Sequence, residues 1–102
     1  MNQKKQVAKA FELLREKGYF AEENFWCCQN CGWNAMTDKQ AEKAVFYHGQ
    51  DNESWNEKTG NLKTNLYIGW SGDCHEIRNI FESVGLLVEH DGTEGSRIEI
   101  LA

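Results

Sequence analysis

Apolar positions recur at helical spacing near the start of the chain: Val7, Ala10, Phe11 and Leu14, separated by charged and polar residues. Residues three and four apart share one helix face, so this stripe predicts an amphipathic helix over residues 3–17. Lys17 and Gly18 supply its stop, because glycine readily adopts the left-handed conformation that ends many helices. A second stripe, Ile77, Ile80, Phe81 and Val84, predicts another helix, with Asp73 as N-cap, Glu76 three residues on and Gly85 at its end. Asn65-Leu-Tyr-Ile-Gly-Trp70 alternates instead, placing Leu66, Ile68 and Trp70 on one face of a strand. Ala44-Val-Phe-Tyr-His48 has strand composition, and residues 86–90 and 97–101 read as a final hairpin around Asp91-Gly92 and Gly95.

The remaining segments are less periodic. Thr37-Asp-Lys-Gln40 reads as a capping box opening a short helix over residues 38–43. Phe20 and Phe25 flank an acidic loop, and the stretch after them, Phe25-Trp-Cys-Cys-Gln-Asn-Cys-Gly-Trp33, reads as extended with a tight turn at 29–32 and with Trp26 and Trp33 as core aromatics. Residues 49–64 are mostly polar and long for a structureless loop, with Trp55 placed to pin them. The architecture implied is α+β: a single domain over residues 1–102, with a mostly antiparallel sheet of about four to five strands and the two longer helices on one face. The second long helix joins two strands, which calls for a right-handed crossover if they are parallel neighbours.

Composition narrows the function classes. The chain has 102 residues, of which 40% are hydrophobic, enough for one core and too many for general disorder. No apolar run approaches the ~20 residues of a membrane span, and no apolar stretch follows Lys4 and Lys5 as a secretion signal would require. Sixteen acidic against eleven basic residues, net charge −5, speaks against a nucleic-acid partner; the basic residues near the start interleave with Glu12 and Glu16 as the solvated side of a helix. Four cysteines without a signal suggest a reducing, cytoplasmic setting in which thiols stay reduced.

Three of the four cysteines lie together, and they raise three chemistries. Cys28-Gln-Asn-Cys31-Gly32 has the spacing of a zinc knuckle, in which two thiolates reach one ion at ~2.3 Å. No second C-x-x-C exists, so further ligands would come from Cys27, His48, Asp51, Cys74, His75 or His90. Cys74 and His75 are adjacent at a helix start, so at most one of them would reach a metal. Thiol–disulfide catalysis is disfavoured, because the motif runs into Gly32 and Trp33 rather than into a helix N-terminus. Nucleophilic catalysis needs a thiol, a base and an orienting acid, and Cys27 or Cys28 with His48 and Asp51 supplies one of each. Against all three stands simple burial, since free cysteine often packs as a small hydrophobe. His75 and His90 read likewise as an exposed residue and a polar residue at a strand edge.

The segments Cys27-Cys-Gln-Asn-Cys-Gly-Trp33, Phe46-Tyr-His-Gly-Gln-Asp51, Leu66-Tyr-Ile-Gly-Trp70, Gly85-Leu-Leu-Val-Glu-His-Asp-Gly-Thr93 and Arg97-Ile-Glu-Ile100 together resemble a family of small uncharacterised bacterial proteins without an assigned activity. The resemblance implies no mechanism. It implies that the cysteine segment and the Tyr47-His48-x-x-Asp51 corner belong to one signature, and it leaves Cys74, His75 and His90 outside it. The function expected is therefore a small binding or interaction domain with a structural cysteine knuckle, zinc-bound or metal-free on Cys28, Cys31 and His48, acting on a ligand or protein partner. The alternative is a small cysteine-dependent hydrolase or transferase using Cys27 or Cys28, His48 and Asp51.

Overall fold

In the computed structural model, which describes residues 2–26, 29–92 and 96–102, the first apolar stripe becomes helix α1, Gln3–Glu16. Residues 29 and 50–52 are described by backbone alone. The Asn2 side chain caps α1 by accepting from the Lys5 amide, at 2.9 Å. Val7, Ala10, Phe11 and Leu14 are all fully buried, as their spacing predicts. Gly18 follows at φ +91°, the left-handed value that its position requires. The second stripe forms α4, Cys74–Ser83, with the Asp73 carboxylate accepting from the Glu76 amide at 3.2 Å. Ile77 and Phe81 are its fully buried residues. The rings of Phe11 and Phe81 meet edge-on at 6.0 Å, joining α1 to α4 over one face of the sheet. Burying each such side chain contributes about 1.5–3 kcal/mol.

The sheet contains β1 (Phe20–Glu22), β2 (Ala44–Phe46), β5 (Leu66–Trp70), β6 (Val88–Glu89) and β7 (Ile98–Ile100), in the order β1-β2-β5-β7-β6. β1 runs parallel to β2, and every other neighbouring pair is antiparallel. The structure is thus the expected α+β fold, with the two long helices sharing a core on one face. The crossover helix α4 joins β5 to β6, but β7 inserts between those strands. β5 and β6 therefore point the same way without touching. Trp70, at the end of β5, Cys74, at the start of α4, His90, which follows β6, and Ser96, which precedes β7, all come to one end of the sheet. Residues 49–64 are structured: a 3₁₀ turn, Gly49–Ser54, then a small antiparallel pair, β3 (Trp55–Asn56) and β4 (Asn61–Leu62). Trp55 is buried in the main core, so it does pin this segment. Among the described residues no helix is long and apolar enough to cross a membrane.

Three local readings are corrected. Phe20–Glu22, read as the start of a loop, is the edge strand β1, held by its register against Ala44–Phe46. The stretch from Gln29 is not extended but helical: α2 spans Gln29–Ala35, and α3, Asp38–Ala41, follows with the predicted Thr37–Gln40 capping box intact. Gly32 does not serve a turn. A Cβ built there would stand 2.7 Å from the Phe46 ring, so glycine lets α2 settle on β2. Trp26 is not a core aromatic: it is 57% exposed and sits at φ 62°. The neighbouring Phe25 takes the interior place, edge-on to both Phe20 and Phe46. Trp33 does pack inward, its ring 5.0 Å from that of Phe46. Phe46 and Ala44 thus face a second core under α2 and α3, while Val45 and Tyr47 face the first.

Candidate functional site

His48 follows β2 and is only 7% exposed. The chain entering the cysteine segment runs beside it: the Phe25 amide donates to Tyr47 O at 2.8 Å and the Gly49 amide to Trp26 O at 2.7 Å. The Tyr47 hydroxyl donates to Glu23 Oε1 at 3.1 Å, and burial, with that carboxylate beside it, pushes the phenol far up. Nε2 of His48 lies 3.3 Å from Nη1 of Arg97. A guanidinium only donates, so this ring nitrogen accepts. The same guanidinium lies 5.0 Å over the Tyr67 ring. Cys27 and Cys28 lie outside the described residues. Asp51 is placed by its backbone in the 3₁₀ turn, and Cys31 is half-buried on α2. Among the described residues no three His, Cys, Asp or Glu side chains are grouped to hold a metal.

The structure assembles a second constellation from residues that the sequence signature left aside. Cys74 is the first residue of α4, and its Sγ lies 3.3 Å from Nδ1 of His90. Nε2 of His90 donates to Ser96 O at 2.9 Å, since a carbonyl can only accept. The Gly92 amide donates to Nδ1 at 3.2 Å. Together these contacts require the neutral tautomer with the proton on Nε2 and the lone pair on Nδ1, which the Gly92 amide and the thiol share. The Trp70 indole reinforces this arrangement. Its Nε1 donates to the same Ser96 carbonyl at 2.8 Å, and its ring stands edge-on to the imidazole at 5.4 Å. Burial raises the Cys74 thiol above its ordinary value of 9.0; Arg78, one turn along α4, pulls it down, and Asp73 pushes it up. Burial therefore holds the Cys74 side of the pair toward the thiol.

Beside this pair opens a cleft of about 550 Å³ lined by Arg78, Val88, Glu89, His90, Asp91, Ser96, Arg97 and Glu99. It carries both signs of charge: two guanidiniums from different elements and three carboxylates. Glu89 and Glu99 are direct cross-strand partners on β6 and β7. Like charges placed directly opposite destabilise a strand pair unless something neutralises them. Asn65 Nδ2 donates to Glu99 Oε1 at 3.3 Å, and the cation of Arg97 lines the same cleft. His90 is the residue common to the cleft and the thiol pair.

Sequence reasoning missed this convergence because Cys74 and His90 are sixteen residues apart and match no local spacing. The signal that could have found it was the order strand, helix, strand. That order returns the end of β6 to the level at which α4 begins.

A family described as a domain of unknown function (DUF6891) matches residues 3–102. Comparison with curated proteins and with solved structures finds no match.

Proposed function

The chain belongs to the DUF6891 family, a domain of unknown function, and from its geometry we propose that it is a binding domain for a small zwitterionic molecule, one carrying an ammonium or guanidinium group together with a carboxylate. The ligand occupies the cleft between α4 and the β6–β7 end of the sheet. The observation that carries this reading is the Glu89–Glu99 cross-strand pair facing a cleft that Arg78 and Arg97 also line. A cationic group between the carboxylates relieves their repulsion, and a carboxylate on a guanidinium forms the stronger, charge-assisted kind of hydrogen bond. In this reading the cysteine segment is structural: α2 closes the second core through Gly32 and Trp33 on Phe46.

Titration calorimetry with free amino acids, their N-acetyl derivatives and their methyl esters tests the proposal. Binding of free amino acids, weakened at least tenfold by N-acetylation, by esterification and by Glu89→Gln, is expected; a charged hydrogen bond contributes about 1.5–3 kcal/mol. If no amino acid binds at millimolar concentration, or if the blocked derivatives bind equally well, the proposal is wrong.

A further inference from the structure

The geometry points to a second, covalent site: Cys74 and His90 form a thiol–imidazole pair that accepts an acyl group from an ester or thioester. The proposal rests on the pair and not on the cleft's ligand, so either can fail alone. Four observations meet here. The sulfur lies 3.3 Å from a ring nitrogen. That nitrogen carries the ring's lone pair, which the Gly92 amide also approaches at 3.2 Å, because the other nitrogen donates to Ser96 O at 2.9 Å. The carbonyl that fixes the tautomer is itself held by the Trp70 indole at 2.8 Å. The imidazole lines an open cleft, and Cys74 behind it is half-buried, in contact with the imidazole and not itself part of the cleft lining. A nucleophile, a base within reach of its proton and a group orienting the base are the parts that nucleophilic catalysis requires.

The step balances without any other reactant. Sγ of Cys74 forms a bond to the acyl carbon while its proton passes to Nδ1 of His90, which releases the Gly92 amide as it takes the proton, and the carbonyl π pair moves onto oxygen. The tetrahedral adduct collapses, the bond to the leaving alcohol or thiol breaks, and that group takes the proton from Nδ1. Cys74 is left as a thioester. Water then adds to the acyl carbon and gives a proton to Nδ1. The C–S bond breaks, sulfur regains the proton, and the carboxylic acid departs. Throughout, the Nε2 proton stays on Nε2 and is donated to Ser96 O, whose dipole faces the imidazolium as it forms.

The full chain treated with 4-nitrophenyl acetate is the test. The expected result is a burst of one equivalent of nitrophenolate, one acetyl group mapped by peptide mass spectrometry to Cys74 rather than to Cys27, Cys28 or Cys31, and loss of both in Cys74→Ser. His90→Gln should slow acetylation at least tenfold. His90→Ala should slow it likewise and regain rate when free imidazole is added, an effect that a merely structural role for His90 does not give. Far-ultraviolet circular dichroism shows whether the variants keep the fold; if both His90 variants unfold, the mapped acetylation site in the native chain still decides. Acetylation spread over all four thiols at the rate of the urea-unfolded chain overturns the proposal. So does an unchanged rate in a folded His90→Gln.

Discussion

Gly32 of α2 and the ring of Phe46 on β2 approach so closely that a Cβ at position 32 would stand 2.7 Å from Cε2. Gly69 crowds the same ring from β5, with its Cβ position 3.1 Å away. Phe46 is thus gripped between a helix and a strand at two residues that lack side chains. Its ring is fully buried, so it has no open side toward which to move.

Gly32→Ala is therefore expected to destabilise the protein by about 1–3 kcal/mol, the range for overpacking an interior. Outside such a contact the same change in a helix would stabilise it, since alanine is the better helix former by about 1 kcal/mol. The sign is the discriminating quantity. Urea denaturation should show a lower midpoint with an unchanged slope, and a higher midpoint would mean that α2 does not bear on Phe46 as described.

How far the fold was legible follows from what each segment had to contact. α1 and α4 carry their own explanation, because a stripe such as Val7, Ala10, Phe11 and Leu14 defines a buried face whatever lies beneath it. α2 has no such stripe. Its glycine looks like a turn until Phe46 is in place, and nothing near residue 32 announces residue 46. β1 has only three residues, and parallel pairing with β2 rather than alternation makes it a strand. The candidate site divides in the same way. The grouping of His48 with the cysteine segment came from the resemblance alone; the backbone at Phe25 and Trp26 runs beside Tyr47 and Gly49, while Cys27 and Cys28 lie outside the described residues. The pairing of Cys74 with His90 depends on β6 running the same way as β5 once α4 has crossed back, a fact of topology rather than of spacing.

The zinc expectation meets a specific obstacle at His48. Nη1 of Arg97 stands 3.3 Å from Nε2, so a cation binding through that nitrogen would have to displace a guanidinium. Histidine ligates a metal through a ring lone pair, which here faces another cation. Protein purified without chelator should accordingly contain less than ~0.1 mol of zinc per mol, since structural zinc binds tightly enough to survive purification. Plasma emission spectrometry reads this directly, and a value near ~1 mol per mol would restore a metal knuckle on Cys28, Cys31 and His48.

Alkaline pH should weaken the fold through Tyr19. The side chain is 4% exposed, and burial pushes its phenol from the ordinary 10.0 up to about 12. Between these values the folded chain keeps a proton that the unfolded chain has lost, so stability falls as pH rises. The contribution is complete below about pH 10 and gone above about 12. Tyr47, pushed up by burial and by Glu23, acts in the same direction. Tyr19→Phe removes the titrating group, so its melting temperature should fall less steeply than the wild type's over this window. Parallel curves for the two proteins would show that Tyr19 does not carry the effect.

The Cys74 thiol offers a prediction with two signs. Burial holds it above 9.0, Arg78 works against that shift, and Asp73 works with it. A positive neighbour favours the thiolate and a negative one the thiol. Arg78→Leu should therefore move the alkylation midpoint of Cys74 to higher pH. Asp73→Asn should move it lower while keeping a side-chain oxygen to cap α4, so that the helix start that places Cys74 is preserved. The pH dependence of iodoacetamide labelling, followed at the peptide containing Cys74, separates the two variants by the direction of their shifts. Opposite displacements about the wild-type curve are the expected result. Displacement of both in one direction would mean that the variants act through altered packing at the start of α4 and not through charge.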